Sequence, residues 1–274
     1  MGNSNSAIIK LTTLALLSLG ILGSASAAVN PINATGWNYD MVINNPSPYN
    51  LTVTGTMDGG FGQVENWTWV EAGTYDDPNG NATTIPGLVA GSHTSLTGNG
   101  VFAFQPFNQN NVVGLDGGQS GILSLVSPAS YSAIALYGAS GFGAKTATIT
   151  LNFTDSSSSS FNVASGTGIG TDWFNTGDDR AFAVGARGSN KSEEGYTRIF
   201  IEESSLISIN ESYFTLNAAD QSKLLQSVTI QNTDGDRMAV FALSGAQVQV
   251  PEPTTLSLLA LGGLGVLLTR RNAR

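Results

Sequence analysis

Residues 145–155 read "KTATITLNFTD", and their alternation decides the fold. Ala147, Ile149, Leu151 and Phe153 occupy every second position, with Thr146, Thr148, Thr150 and Asn152 between them. A period of two puts the first set on one face of a strand and the second set on the other. The apolar face belongs against a core and the hydroxyl face in water. After the serine run Ser156 to Ser160, "SSFNVAS" resumes the pattern, so the two segments predict a hairpin with a loose loop. Residues 227–245, "SVTIQNTDGDRMAVFALSG", predict a second hairpin turned by Asp234-Gly235.

Working outward, "YTRIFIEES" (196–204) and "RAFAVGARG" (180–188) also alternate. Further strand segments are "YNLTVTG" (49–55), "NWTWVEAG" (66–73), "VFAFQPF" (101–107), "GILSLV" (121–126) and "YSAIALYG" (131–138). A helix is expected only briefly, near "NAADQSKLL" (217–225). Roughly a dozen short strands with frequent turn residues predict an all-β chain: one antiparallel β-sandwich, jelly-roll-like. No self-similar period points to a propeller or solenoid.

The two ends have a different character. The N-terminus carries Lys10, an apolar run from Leu11 to Leu22 and small residues at 25–28, the three parts of a secretory leader, with cleavage expected after Ala27 or Ala28. The C-terminus reads "VPEPTTLSLLALGGLGVLLTRRNAR" (250–274). Pro251 and Pro253 forbid regular helix or central strand there and keep the backbone extended. The apolar stretch 254–269 would span about 24 Å as a helix, short of the ~30 Å hydrocarbon core. Arg270, Arg271 and Arg274 after it predict a tip held inside, with everything before it outside. The expected organisation is a signal peptide over 1–28, a β-sandwich domain over 29–250 and a C-terminal signal over 251–274 with a single hydrophobic helix.

Composition narrows what the body does. It holds 19 of the 20 acidic and 7 of the 11 basic residues, a net charge of −12. That sign excludes nucleic acid as a natural partner and suits solubility outside the cell. The chain has no Cys, which excludes thiol catalysis, cysteine-ligated metals and disulfides.

The order Pro251-Glu252-Pro253, apolar run, arginine cluster resembles the PEP-CTERM sorting signal of bacteria that make exopolysaccharide. The resemblance implies recognition at Pro251, Glu252 and Pro253 by an exosortase-type membrane enzyme, with Arg270 and Arg271 as the stop. It further implies removal of the tail after a transient membrane stage, and delivery to the cell surface or extracellular matrix. Signal peptidase is the partner implied at Ala27 and Ala28. A second resemblance, carried by residues 123–155, by "TDWFN" and by "KLLQSVTIQNTDGDRMAVFALSG", is to galactose-binding-like β-sandwich domains of bacterial secreted proteins. It implies a body that contacts carbohydrate and brings no catalytic motif.

Catalytic chemistry has little to stand on. The single His93 lies in "VAGSHTSL" and reads as an exposed loop residue, and no G-x-S-x-G elbow accompanies it. The carboxylate doublets Asp76-Asp77, Asp178-Asp179, Glu193-Glu194 and Glu202-Glu203 place neighbours on opposite faces of a strand, so no doublet is itself an acid–base pair. The loops 75–81, 175–180 and 232–236 are rich in Asp, Asn and Gly; they read first as turns and second as a structural Ca²⁺ site. Trp67 and Trp69 share a strand face and are core residues or, if exposed, sugar-stacking platforms; Trp37 and Trp173 are weighed the same way. The expected function is a non-enzymatic, exported envelope or matrix protein without a cofactor. The alternative is a carbohydrate-binding module acting on exopolysaccharide, with a glycoside hydrolase third.

Overall fold

The computed structural model describes residues 28–44, 53–62, 66–76, 80–175, 177–189 and 199–248. In chain order the strands are β1 (Asn30–Pro31), β2 (Ala34–Thr35), β3 (Val42–Ile43), β4 (Gly55–Thr56), β5 (Gly60–Phe61), β6 (Trp67–Val70) and β7 (Gly73–Asp76). There follow β8 (Ala82–Ile85), β9 (Gly91–Thr94), β10 (Val101–Phe104), β11 (Val113–Leu115), β12 (Ser120–Ala129), β13 (Tyr131–Ser140) and β14 (Ala147–Phe153). The last are β15 (Ser158–Val163), β16 (Arg180–Ala183), β17 (Ala186–Ser189), β18 (Phe200–Glu203), β19 (Ser208–Thr215), β20 (Leu225–Asn232) and β21 (Met238–Gln247). The expected brief helix is α1 (Ala218–Gln221), started by Asn217, whose side chain accepts from the Asp220 amide.

Two sheets form the sandwich. The outer one runs β15-β14-β20-β12-β2. The central one runs β1-β21-β13-β19-β16, with β11 also on β21. The 145–155 segment behaves as its pattern requires: Ala147, Ile149, Leu151 and Phe153 are buried and the residues between them are partly exposed. They meet Leu123, Val228 and Ile230 of the same sheet, and Ile134, Leu136, Val240 and Leu243 of the central sheet, in an aliphatic core.

The predicted 145–163 hairpin is present, with β14 and β15 paired antiparallel from Ala147↔Val163 to Asn152↔Ser158. The predicted 227–245 hairpin is not. β20 lies in the outer sheet and β21 in the central one, so Asp234-Gly235 turns an arch that crosses between layers. The Asn232 side chain spans the arch, donating to Leu115 O at 3.3 Å and to Asp236 O, and Lys145 pairs with Asp236 at 2.8 Å. β20 alternates while β21 is buried almost throughout, and the two lie in different layers across the core instead of sharing a ladder.

The central sheet is buried on both sides. Every residue of β21 except Gln247 is buried, and in β13 only Ser132 is partly exposed. Its second face carries Ala133, Ala135, Tyr137, Ala139, Ala239 and Phe241. Trp69, Phe102, Phe104 and Trp173 pack into the space those alanines leave. They come from the β9–β10 hairpin, from the loop after β15 and from a third, smaller sheet, β18-β17-β6-β3. One pair in that sheet, β3 with β6, is parallel; the named pairs elsewhere are antiparallel.

Candidate functional site

The first and last described residues of the chain lie at one pole of the body. Val29 is fully buried, donates its amide to Asn99 O at 2.9 Å and accepts from the Val101 amide at 2.9 Å. Gly100 makes that approach feasible: at φ +144°, a Cβ there would sit 2.3 Å from Val29 O. The chain then pairs Asn30↔Gly245 and Pro31↔Ser244 with β21. At the other end, β21 closes at Gln247, and the Val248 amide donates to Ser130 O at 3.0 Å. Ala28 and Gln247 line the same groove of about 340 Å³, together with Asn30, Pro31, Ile32, Tyr131 and Gly245. The Tyr131 ring lies so close over Gly245 that a Cβ there would be 2.4 Å from Cδ1. Ala28 is exposed. Ala27, Pro251, Glu252, Pro253, Arg270, Arg271 and the expected apolar helix over 254–269 lie outside the described residues. Among those described, no helix is long and apolar enough to cross a membrane.

Only Gln249 and Val250 separate the last described residue from Pro251. Strand β21, buried except at Gln247, ends four residues before Pro251.

The aromatic candidates divide by burial. Trp69 is 0% exposed, edge-on to Trp173 and Phe241 at 4.7 Å each, and offers no face to a sugar. Trp67 is half-buried, and the Arg187 guanidinium lies 4.6 Å over its ring, so a stacking face is already taken. Arg187 also sits 4.5 Å over Phe174, bonds Glu202 at 2.8 Å and reaches Asp58 at 3.5 Å. Burial pushes the Asp58 carboxyl above its usual range, and Arg187 opposes that shift. Trp173 is core. Trp37 is the exception: half-buried, with Nε1 donating to Ala34 O at 3.0 Å, it lines an open groove of about 430 Å³ with Gln105, Gln109 and Asn110.

His93 is no exposed loop residue. It lies on β9, with Nε2 2.6 Å from Val89 O, and its ring packs on Phe102, Phe104 and Phe182 at 5.7, 5.2 and 4.9 Å. Its Gly/Ser/Thr neighbours face water while His93 covers the aromatic layer. Of the carboxylate doublets, Asp179 accepts from the Gly168 amide at 2.8 Å and Glu202 is held by Arg187. Glu193 and Glu194 lie outside the described residues. In 232–236 the Asp234 amide donates to Asn232 Oδ1 at 3.1 Å and Asp236 is paired with Lys145, the contacts of a turn. Among the described residues no three His, Asp or Glu side chains are grouped to hold a metal ion; 77–79 and 176 of the other two loops are outside that set.

Two acids are buried against partners distant in the chain. Glu211 on β19 accepts from Ser95 Oγ at 2.5 Å, Thr97 Oγ1 at 2.6 Å and Asn99 Nδ2 at 2.8 Å, which fastens the β9–β10 turn to the central sheet. Asp40 is 6% exposed and accepts from Asn111 Nδ2 at 2.6 Å; burial pushes its carboxyl up to about 6. Neither has a sequence signal, since each partner is distant in the chain.

These observations describe a β-sandwich body whose last described strand, β21, ends just before the Pro251-Glu252-Pro253 stretch of the sequence. A family model, the PEP-CTERM protein-sorting motif, matches residues 249–272. Residues 249–272 thus bear the signal of the exosortase route, which implies export and a cell-surface or extracellular location. No curated protein matches the chain.

Proposed function

We propose that the protein is a non-enzymatic component of the bacterial envelope or extracellular matrix, delivered through its C-terminal signal after a transient membrane stage. The sorting motif at 249–272, which begins at the residue after the last described one, carries this reading. The arginine stop and the short apolar span would hold the tail in the membrane while the body stays outside. Pro251, Glu252 and Pro253 then offer an extended backbone to the processing enzyme. In a host carrying exosortase, Pro251→Ala with Pro253→Ala leaves export intact and traps full-length protein in the inner membrane, while the parent is recovered without its tail. A surface form of the parent whose mass still includes Leu256 to Arg274 overturns the reading.

A carbohydrate-binding module is the second reading, and the Trp37 groove favours it. A half-buried indole beside the neutral amides Gln105, Gln109 and Asn110 is chemistry suited to an uncharged sugar. Affinity electrophoresis in gels containing neutral polysaccharides separates the two readings: retardation lost in Trp37→Ala supports the module, and unaltered mobility in every gel removes it.

A further inference from the structure

Among the described residues, the end strands of the three larger sheets are blunted in every case but one. β1 and β2 are two residues each, and β1 ends in Pro31. β3 is two residues. β16 has four residues, begins with Arg180 and breaks register against β19. β18 carries Glu202 and Glu203. Short length, proline, charge and irregularity are the devices that keep sheet edges from pairing with other chains. β15 has none of them. It has six residues, pairs with β14 without a register shift, and residues 156–164 include no proline and no ionisable side chain.

The direction of its free groups follows from the ladder. The Phe153 amide donates to Ser157 O at 3.0 Å, so Phe153 and Ser157 are a hydrogen-bonded pair. Alternation then makes Leu151↔Ser159, Ile149↔Phe161 and Ala147↔Val163 hydrogen-bonded pairs as well. Ser158, Ser160 and Asn162 turn their N–H and C=O groups away from β14, and among the described residues these groups meet no partner. The strand is also held from within: Ser159 Oγ donates to buried Asp220 at 2.5 Å and Phe161 packs on Phe214 at 5.0 Å.

The geometry points to a second copy of this chain as the occupant, paired antiparallel through β15 about a two-fold axis at Ser160. The three outward positions are symmetric about Ser160. A register of 160 on 160, with 158 on 162 and 162 on 158, therefore satisfies all their outward N–H and C=O groups in both copies. Asp155 falls opposite Ser165 of the other copy in that register, so this acidic body (−12 between residues 29 and 250) brings no like charges together along the strand. Pairing joins the two outer sheets into one. An interface of this size is weak in dilute solution and gains from the local concentration of copies delivered to one surface.

The chain has no cysteine, so one introduced thiol reports the register. In the mature protein recovered from the producing host, Ser160→Cys places two Cα atoms about 5.5 Å apart, within disulfide range. Ser158→Cys places them roughly 13 Å apart. Mild oxidation is expected to give a covalent dimer with the first and monomer with the second. Sedimentation equilibrium should give a dimer for the parent, and Ser160→Pro, which removes an outward N–H without touching the β14 ladder, should raise its dissociation constant at least about tenfold. A parent that is monomeric up to roughly 100 µM overturns the pairing. So does a dimer unaffected by Ser160→Pro, or equal cross-linking at 158 and 160.

Discussion

The two faces of the central sheet are packed by opposite chemistry. Toward the outer sheet, β13 presents Ile134 and Leu136, which meet the branched side chains of β12, β14 and β20 as size-matched partners. Toward the other side the sheet offers mostly alanine, and the volume is supplied from across the gap by Trp69, Trp173, Phe102 and Phe104. Phe102 stacks on Tyr137 at 4.2 Å, and Trp69 meets Trp173 and Phe241 edge-on. The aliphatic side needs regular strands, because many small contacts must align. The aromatic side tolerates strands of two to four residues, because a few large rings fill the space. The buried acids Asp40 and Glu211 belong with the aromatic side, where loops supply donors that a ladder does not.

The comparison breaks most easily at Trp69. Trp69→Ala is expected to cost about 3–5 kcal/mol, the range for deleting a large buried aromatic. If both faces are one cooperative unit, this variant shows a single thermal transition shifted down, as Leu151→Ala does from the aliphatic side. Two resolved transitions, with the far-UV signal of the sandwich surviving the first, would show that the aromatic layer folds separately.

Asp40 sharpens the contrast through pH. Its folded carboxyl binds a proton more tightly than the unfolded one, with a value of about 6 against an ordinary 3.8. The stability it contributes is therefore complete below about pH 4 and lost as pH rises through about 6, a swing of up to about 3 kcal/mol. Asp40→Asn keeps an acceptor for Asn111 and should flatten that stretch of the profile. Melting temperatures of variant and parent at pH 4.5 and 7.5 test this: the variant should gain relative to the parent at the higher pH. A relative gain at the lower pH would reverse the sign and the argument.

The sequence exposes these two sides unequally, for a physical reason. β14, β12 and β20 have one face in water, so polarity alternates along them and the strands are plain to read. β13 and β21 are buried on both faces, and with both sides apolar nothing in "YSAIALYG" says that a second core lies behind it. The same uniformity hides the arch at 232–238, since an Asp-Gly turn between apolar segments is also what a hairpin looks like. His93 misleads in the opposite sense: its neighbours are polar because they face solvent, while its own ring faces Phe102, Phe104 and Phe182. The terminal signal is fully legible because its three parts act in linear order and need no fold to bring them together. Glu211 with Ser95, Thr97 and Asn99 is illegible because its members meet only through the fold.

The smallest expected effect lies on the outward face of the outer sheet. Thr150 is opposite Thr229 and Ser160, and shares a hydrogen bond with Ser160 Oγ at 3.0 Å. Water can replace that bond, and valine keeps the branched shape that a strand favours. Thr150→Val should therefore change stability by no more than about 0.5 kcal/mol, as surface substitutions usually do. Measured by urea denaturation at a fixed, low protein concentration, this value sets the baseline for a face in water. A loss above about 1.5 kcal/mol would mean that the hydroxyl is covered and its bond cannot be replaced by solvent. The outer sheet would then be buried on both sides like the central one, and the distinction between a sheet with one wet face and a sheet with none would fail.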